Sequence, residues 1–115
     1  MKSTDAIADL TALIPEYKSK TEEQWAQLGD AILADELGVP VAVQYYEPVA
    51  FYIPSGRYKP DFAHFLEDGR IVFVEVKASK KQKGYRSSRQ KLRETANVYP
   101  MFTWVMAVKL EVEVI

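Results

Sequence analysis

The stretch Ile71-Val72-Phe73-Val74-Glu75-Val76 is apolar on both faces of an extended chain except at Glu75. Successive side chains of a strand point to opposite sides of the sheet, so such a run needs a covering layer over each face. It is expected as a central strand, and a carboxylate within it is costly unless it is paired or holds a cation. Lys77 lies two residues further along the same face, roughly 7 Å away at the rise of a strand.

The turn before this strand decides what stands beside Glu75. In Phe65-Leu66-Glu67-Asp68-Gly69-Arg70-Ile71, Gly69 marks a position of positive φ. A three-residue hairpin loop ending in a left-handed glycine makes Glu67-Asp68-Gly69 the loop and sets Leu66 opposite Arg70. Counting back, Phe65 faces Ile71, Ala63 faces Phe73 and Asp61 faces Glu75, with directly opposed Cβ atoms roughly 4.5–5.5 Å apart. Asp61, Glu75 and Lys77 then form one cluster. A two-residue loop at Asp68-Gly69 would turn Asp61 to the other side, opposite Val76.

Proline and glycine punctuate the rest of the chain into short elements. Residues 4–14 read as a short helix capped by Ser3 or Thr4, with Ile7, Leu10 and Ile14 on one stripe. A second helix is capped by Ser19 or Thr21, carries Glu22 and Glu23 in its first turn and stops near Leu37 at Gly38. Its apolar stripe is Trp25, Leu28, Ile32 and Leu33; Glu22 lies on the edge of that stripe, toward the sheet, and Glu23 toward water. Strands are expected at Val41–Tyr46, Val49–Ile53, Tyr58–Leu66 and Ile71–Ala78, a third helix at about Arg86–Val98, and strands at Phe102–Val108 and, as an edge, Leu110–Ile115. The order α, α, β, β, β, β, α, β, β implies an α/β (α+β) fold, a mixed central sheet flanked by helices. At 115 residues it fits a single domain, 1–115.

Two oxygen-donor carboxylates on adjacent strands suit Mg²⁺ or Mn²⁺, which would polarise a scissile phosphate and help to activate water. Lys77 would position that water or offset charge developing at phosphorus, and Glu22 would complete the shell or anchor a water. The alternative is a buried ion pair of Lys77 with Glu75 or Asp61, without catalytic role. With no cysteine, thiolate zinc sites and cysteine nucleophiles are excluded.

The net charge of −1 argues against a nucleic-acid partner, but its distribution argues for one. Residues 77–93 carry eight bases and no acid: Lys77, Lys80, Lys81, Lys83, Arg86, Arg89, Lys91 and Arg93. Arg86, Arg89 and Arg93, with Gln90 between them, share a stripe of the third helix, and Lys80, Lys81 and Lys83 occupy the loop before it. These residues are expected to grip the DNA phosphate backbone, with salt-sensitive binding and weak sequence preference. Nothing reads as membrane-spanning or as a signal peptide, so a cytoplasmic location is expected.

At these positions the chain resembles the PD-(D/E)xK nuclease superfamily: Pro60-Asp61, then Glu75-Val76-Lys77, then a basic helix. Within it the likeness is to phage-type endonuclease I, the Holliday junction resolvases. It runs from Ser19-Lys20-Thr21-Glu22 through Val49–Ser55 and Tyr58-Lys59-Pro60-Asp61-Phe62 to Val74–Ala78, about half the chain. The resemblance implies a restriction-endonuclease-like core, Mg²⁺-dependent hydrolysis of DNA phosphodiester bonds, Glu22, Asp61, Glu75 and Lys77 as catalytic residues, and a homodimer. Similar motifs occur in transposase and restriction nucleases. A nicking or sequence-specific subunit of a larger complex, or a non-catalytic DNA-binding protein retaining the fold, are therefore the rival readings. His64, on the face opposite Asp61, reads as structural, and Tyr45, Tyr46, Phe51 and Tyr52 as core or interface aromatics rather than base-stacking groups.

Overall fold

The computed structural model describes residues 16–115; the helix expected at residues 4–14 lies outside them. Helix α1 (Lys20–Leu37) begins at Ser19, whose extended backbone lets its Oγ accept from the Glu22 N–H at 3.1 Å. It ends at Gly38, whose φ of 74° lets its N–H return to the Ala34 carbonyl. There follow β1 (Val41–Tyr46), β2 (Phe51–Ile53), β3 (Gly56–Tyr58), β4 (Phe62–Leu66), β5 (Ile71–Lys77), α2 (Tyr85–Val98), β6 (Thr103–Val108) and β7 (Glu111–Val114).

Five strands form one mixed sheet in the order β1-β4-β5-β6-β7. Only the β5–β6 pair is parallel, and α2 is its crossover. The strand singled out by its two apolar faces is the middle one. Val72, Val74 and Val76 pack with Trp25 and Leu33 beneath α1, while Phe73 packs with Trp104, Leu92 and the β2–β3 residues Ile53 and Tyr58 on the other side. The protein is thus an α+β fold with helices on both faces of a mixed sheet. Among the described residues no helix is long and apolar enough to cross a membrane.

Three local expectations need correction. The segment Tyr58–Leu66 is not one strand, and the strand expected from Val49 starts at Phe51: β2 and β3 pair only with each other, with Tyr52 opposite Arg57. Pro60 has no N–H to continue a ladder, so the chain leaves one sheet at Tyr58 and joins the other at Phe62. In α1 the buried stripe is Trp25, Gly29 and Leu33, with Ile32 half-buried and Leu28 47% exposed. The Trp25 indole lies across Gly29, where an added Cβ would stand 2.5 Å from Trp25 Cε2. The ring occupies the width that Leu28 was expected to share.

Two hydrogen-bond sets fasten the β2–β3 hairpin to α2. Ser55 donates from N and from Oγ to Glu94, at 2.9 and 2.6 Å, and Tyr99 Oη donates to the Tyr52 carbonyl at 2.8 Å. Phe51 fills the space below, edge-on to Phe73 and Trp104.

Candidate active site

The β4–β5 register places the carboxylates. Phe65 pairs with Ile71, Ala63 with Phe73 and Phe62 with Val74. Gly69 has φ 92°, and Leu66 exchanges hydrogen bonds with the turn through Arg70 and Gly69, so Glu67–Gly69 is the three-residue loop the glycine requires. One step beyond Phe62–Val74, Asp61 comes to Glu75. Its N–H donates to the Val74 carbonyl at 3.0 Å, and its Oδ2 accepts from the Val76 N–H at 2.7 Å. Asp61 is therefore fixed from both ends by the strand that carries Glu75.

Glu75 is 7% exposed. Tyr58, at the end of β3, donates from Oη to Glu75 Oε1 at 2.8 Å. On the other oxygen, Lys77 Nζ stands 4.0 Å from Oε2. Glu22 reaches the same place from the first turn of α1, accepting from Tyr46 Oη at 2.7 Å and from its own cap, Ser19 Oγ, at 3.2 Å. Glu22, Asp61, Glu75 and Lys77 line one open cleft of about 220 Å³ at the ends of the central strands, together with Ser19, Thr21 and Gln82. Glu23, its neighbour in sequence, is exposed.

The electrostatics are those of two acids forced together. The Asp61 carboxyl is pushed up to about 8, first by burial and then by the charge of Glu75 and the hydrogen bond the two carboxyl groups share; the Val76 N–H opposes this. Burial and the Glu75 charge also raise the Tyr58 hydroxyl far above its ordinary value, so Tyr58 stays a hydrogen-bond donor. Such a pair suits an oxygen-seeking divalent cation, whose charge would replace the shared proton. Asp61 and Glu75 would hold it. Glu22 faces them across the cleft, engaged by Tyr46, and no three carboxylates, histidines or cysteines converge as one ligand set among the described residues.

The basic residues divide. Lys80, Lys81, Lys83, Arg86, Gln90 and Arg93 are exposed, in the loop after β5 and on α2. Arg89 is not available: both its terminal nitrogens donate to Glu113 of β7, at 2.6 and 2.7 Å. The arginine stripe faces the acids of the sheet's edge strand, and the field of Arg93 and Lys80 also falls on Glu113.

Sequence reasoning missed Tyr58 and Tyr46, the hydroxyls that orient Glu75 and Glu22. Their signal was present but weak, since a tyrosine two residues before Pro60 cannot be told from a core aromatic. His64 is fully buried, as its reading as a structural residue implied. Its partners were not foreseen: Trp25 Nε1 donates to its Nε2 at 3.0 Å, and its Nδ1 meets Asp30 Oδ1 at 2.7 Å. No protein-family model matches the chain, and a comparison with curated proteins finds no match.

Proposed function

We propose that this protein is a metal-dependent endodeoxyribonuclease that hydrolyses phosphodiester bonds, selective for branched DNA in the manner of a Holliday junction resolvase. The observation that carries the reading is the cluster at the cleft: the buried carboxyl group of Glu75 and the half-buried one of Asp61, set side by side by the β4–β5 register, and a lysine that stops short of them. A structural ion pair in this setting would close to 2.7–2.9 Å and bring further hydrogen bonds, whereas Lys77 stays at 4.0 Å. The mixed sheet, the hairpin carrying Asp61 and Glu75, and the helical crossover after Lys77 support a restriction-endonuclease-like core.

A bound Mg²⁺ or Mn²⁺ would supply Lewis-acid polarisation of the phosphate and balance the carboxylates. The chain's residues do the rest. Asp61, held by the Val76 N–H, and Glu75, held by Tyr58, present their oxygens without rearrangement. The Lys77 ammonium orients an attacking water and offsets the negative charge that builds on the phosphate oxygens. Glu22, fixed by Tyr46 and Ser19, accepts from that water or its neighbours. The exposed Lys80, Lys81, Lys83, Arg86 and Arg93 hold the backbone through non-specific phosphate contacts. Symmetric cutting of a junction would need two such chains, so a homodimer belongs to the same proposal.

The test is incubation of the protein with a four-way junction, a linear duplex and a single strand, each with Mg²⁺ and with EDTA. Cleavage of the junction with Mg²⁺ alone is expected, and abolished in Asp61→Ala. Absence of metal-dependent cleavage of all three, or full activity in Asp61→Ala, defeats the enzyme reading. Equal cutting of the linear duplex defeats junction selectivity and favours a nicking or sequence-specific nuclease.

A further inference from the structure

Glu75 borders two clefts, not one. Besides the cleft of Asp61 and Lys77, it forms the floor of a second, of about 360 Å³, walled by Arg57, Tyr58 and Lys59 on one side and by Ser87, Ser88 and Lys91 on the other. The first wall is β3 and its exit, and the second is the first two turns of α2. These elements are joined by side-chain hydrogen bonds at Ser55–Glu94 and Tyr52–Tyr99.

Its lining is chemically one-sided. Arg57, Lys59 and Lys91 are exposed cations, and the serines add hydroxyls. The only acid is Glu75, already bound by Tyr58 and faced by Lys77. Lys59 shares Glu47 with Lys18, two cations to one carboxylate that is held down to about 2 by Lys59 and then by Lys18. Arg57 lies over the Tyr52 ring, 5.6 Å from its centroid, which leaves the guanidinium fork free to donate. The positive end of α2, with no acid in its first turn and no side-chain cap, adds to this field. Tyr58, the aromatic of this lining, is buried, so the lining itself offers no aromatic face to a base. The chemistry fits a phosphodiester and not a nucleobase.

We propose that this second cleft binds a backbone phosphate of the substrate strand through Arg57 and Lys91, with Lys59 adding its field from its place on Glu47, so that the strand crosses Glu75 between its phosphate grip and the reacting bond. The proposal rests on the nuclease reading for the identity of the strand. It adds to the exposed Arg86 and Arg93 a second substrate-facing side of α2, that of Ser87, Ser88 and Lys91. Arg89 is spent on Glu113, while Lys91 has no carboxylate within ion-pair distance among the described residues.

The experiment compares Arg57→Gln, Lys91→Gln and the double variant with wild type and with Arg70→Gln. Arg70 sits at the β4–β5 turn, at the other end of these strands, and controls for the loss of one surface charge. Binding of a fluorescent duplex and a four-way junction is read in EDTA over a range of salt, and cleavage in Mg²⁺. Each single variant is expected to bind roughly tenfold more weakly at about 0.1 M salt, with the salt slope reduced by about one. The KM for cleavage should rise with little change in kcat, and melting temperatures and Arg70→Gln should match wild type. If both single variants bind and cleave as wild type while Asp61→Ala is inactive, the phosphate cleft is overturned and the nuclease reading stands. If wild type cleaves nothing but the variants still lose nucleic-acid binding, the cleft stands and the nuclease reading fails. Loss of binding in Arg70→Gln equal to that in Arg57→Gln, or no nucleic-acid binding by wild type, overturns the proposal.

Discussion

Asp61, just before β4, and His64, in its middle, are three residues apart on opposite faces of the sheet, and both are titratable groups, Asp61 half-buried and His64 fully buried. They are treated in opposite ways. Every ring nitrogen of His64 has a partner, Trp25 on one side and Asp30 on the other, so the group is closed and joins α1 to the sheet. Asp61 meets another acid, and the lysine beside that acid stands off at 4.0 Å. A buried polar group that is completed by its neighbours has finished its work in the folded chain, whereas one that is left in conflict needs something from outside. That contrast separates structure from chemistry more sharply than burial does, since Glu75 and His64 are both buried.

Substitution at the two places is expected to split activity from stability. Asp61→Asn should lower Mg²⁺-dependent cleavage by about 10³-fold or more while leaving the urea midpoint unchanged or higher, because the conflict with Glu75 is removed; a lower midpoint would mean that the carboxylate is a structural group. His64→Ala should do the reverse. It opens a cavity and strands the Trp25 N–H, a loss of about 3–4 kcal/mol in equilibrium unfolding, and residual folded protein should retain its metal response. Gly29→Ala probes the closed side more gently: the added methyl meets the Trp25 ring, and a net loss of about 2 kcal/mol is expected even though alanine is the better helix former. A neutral result would show that the indole can slide and the His64 contact is loose.

The smallest effect, that of added Mg²⁺, is read against pH. The Asp61 carboxyl is raised from 3.8 to about 8, so the folded metal-free protein binds more protons than the unfolded chain in that interval. Its contribution to stability is full below about pH 4 and is lost as pH rises toward about 8. Burial lowers the His64 value, despite Asp30, so His64 acts with the opposite sign, costing stability as pH falls below its ordinary 6.5. At pH 8, Mg²⁺ at ten times its dissociation constant should add about 1.4 kcal/mol in wild type, and nothing in Asp61→Asn. Equal stabilisation of both by Mg²⁺ in a thermal scan would place the cation elsewhere.

Much of the closed and open geometry could be read before folding, for a specific reason. Gly69 is the one residue of the β4–β5 turn that must take a positive φ, and that requirement fixes the loop length, the register and the meeting of Asp61 with Glu75. Elsewhere such anchors were missing. The β2–β3 hairpin has strands of three residues whose aromatics continue the pattern of their neighbours, so in the sequence Tyr58 of β3 runs on into β4. The pairing of Arg89 with Glu113 depends on β7 folding back at Lys109-Leu110, which adopt φ of 51° and 67° without glycine or asparagine to announce the turn. Gly29, a costly residue for a helix interior by propensity alone, is the bed of an indole ring.

The hairpin of β2 and β3 has a consequence for motion. It is bounded by Pro48 and Pro60, shares no ladder with the main sheet, and is held to α2 by the side chains of Glu94, Ser55 and Tyr99. Its amides therefore exchange with solvent through a local opening that leaves the five-stranded sheet intact. Each such opening withdraws Tyr58 from Glu75, so the carboxylate deepest in the protein has its hydrogen-bond lifetime set by the least anchored strand pair.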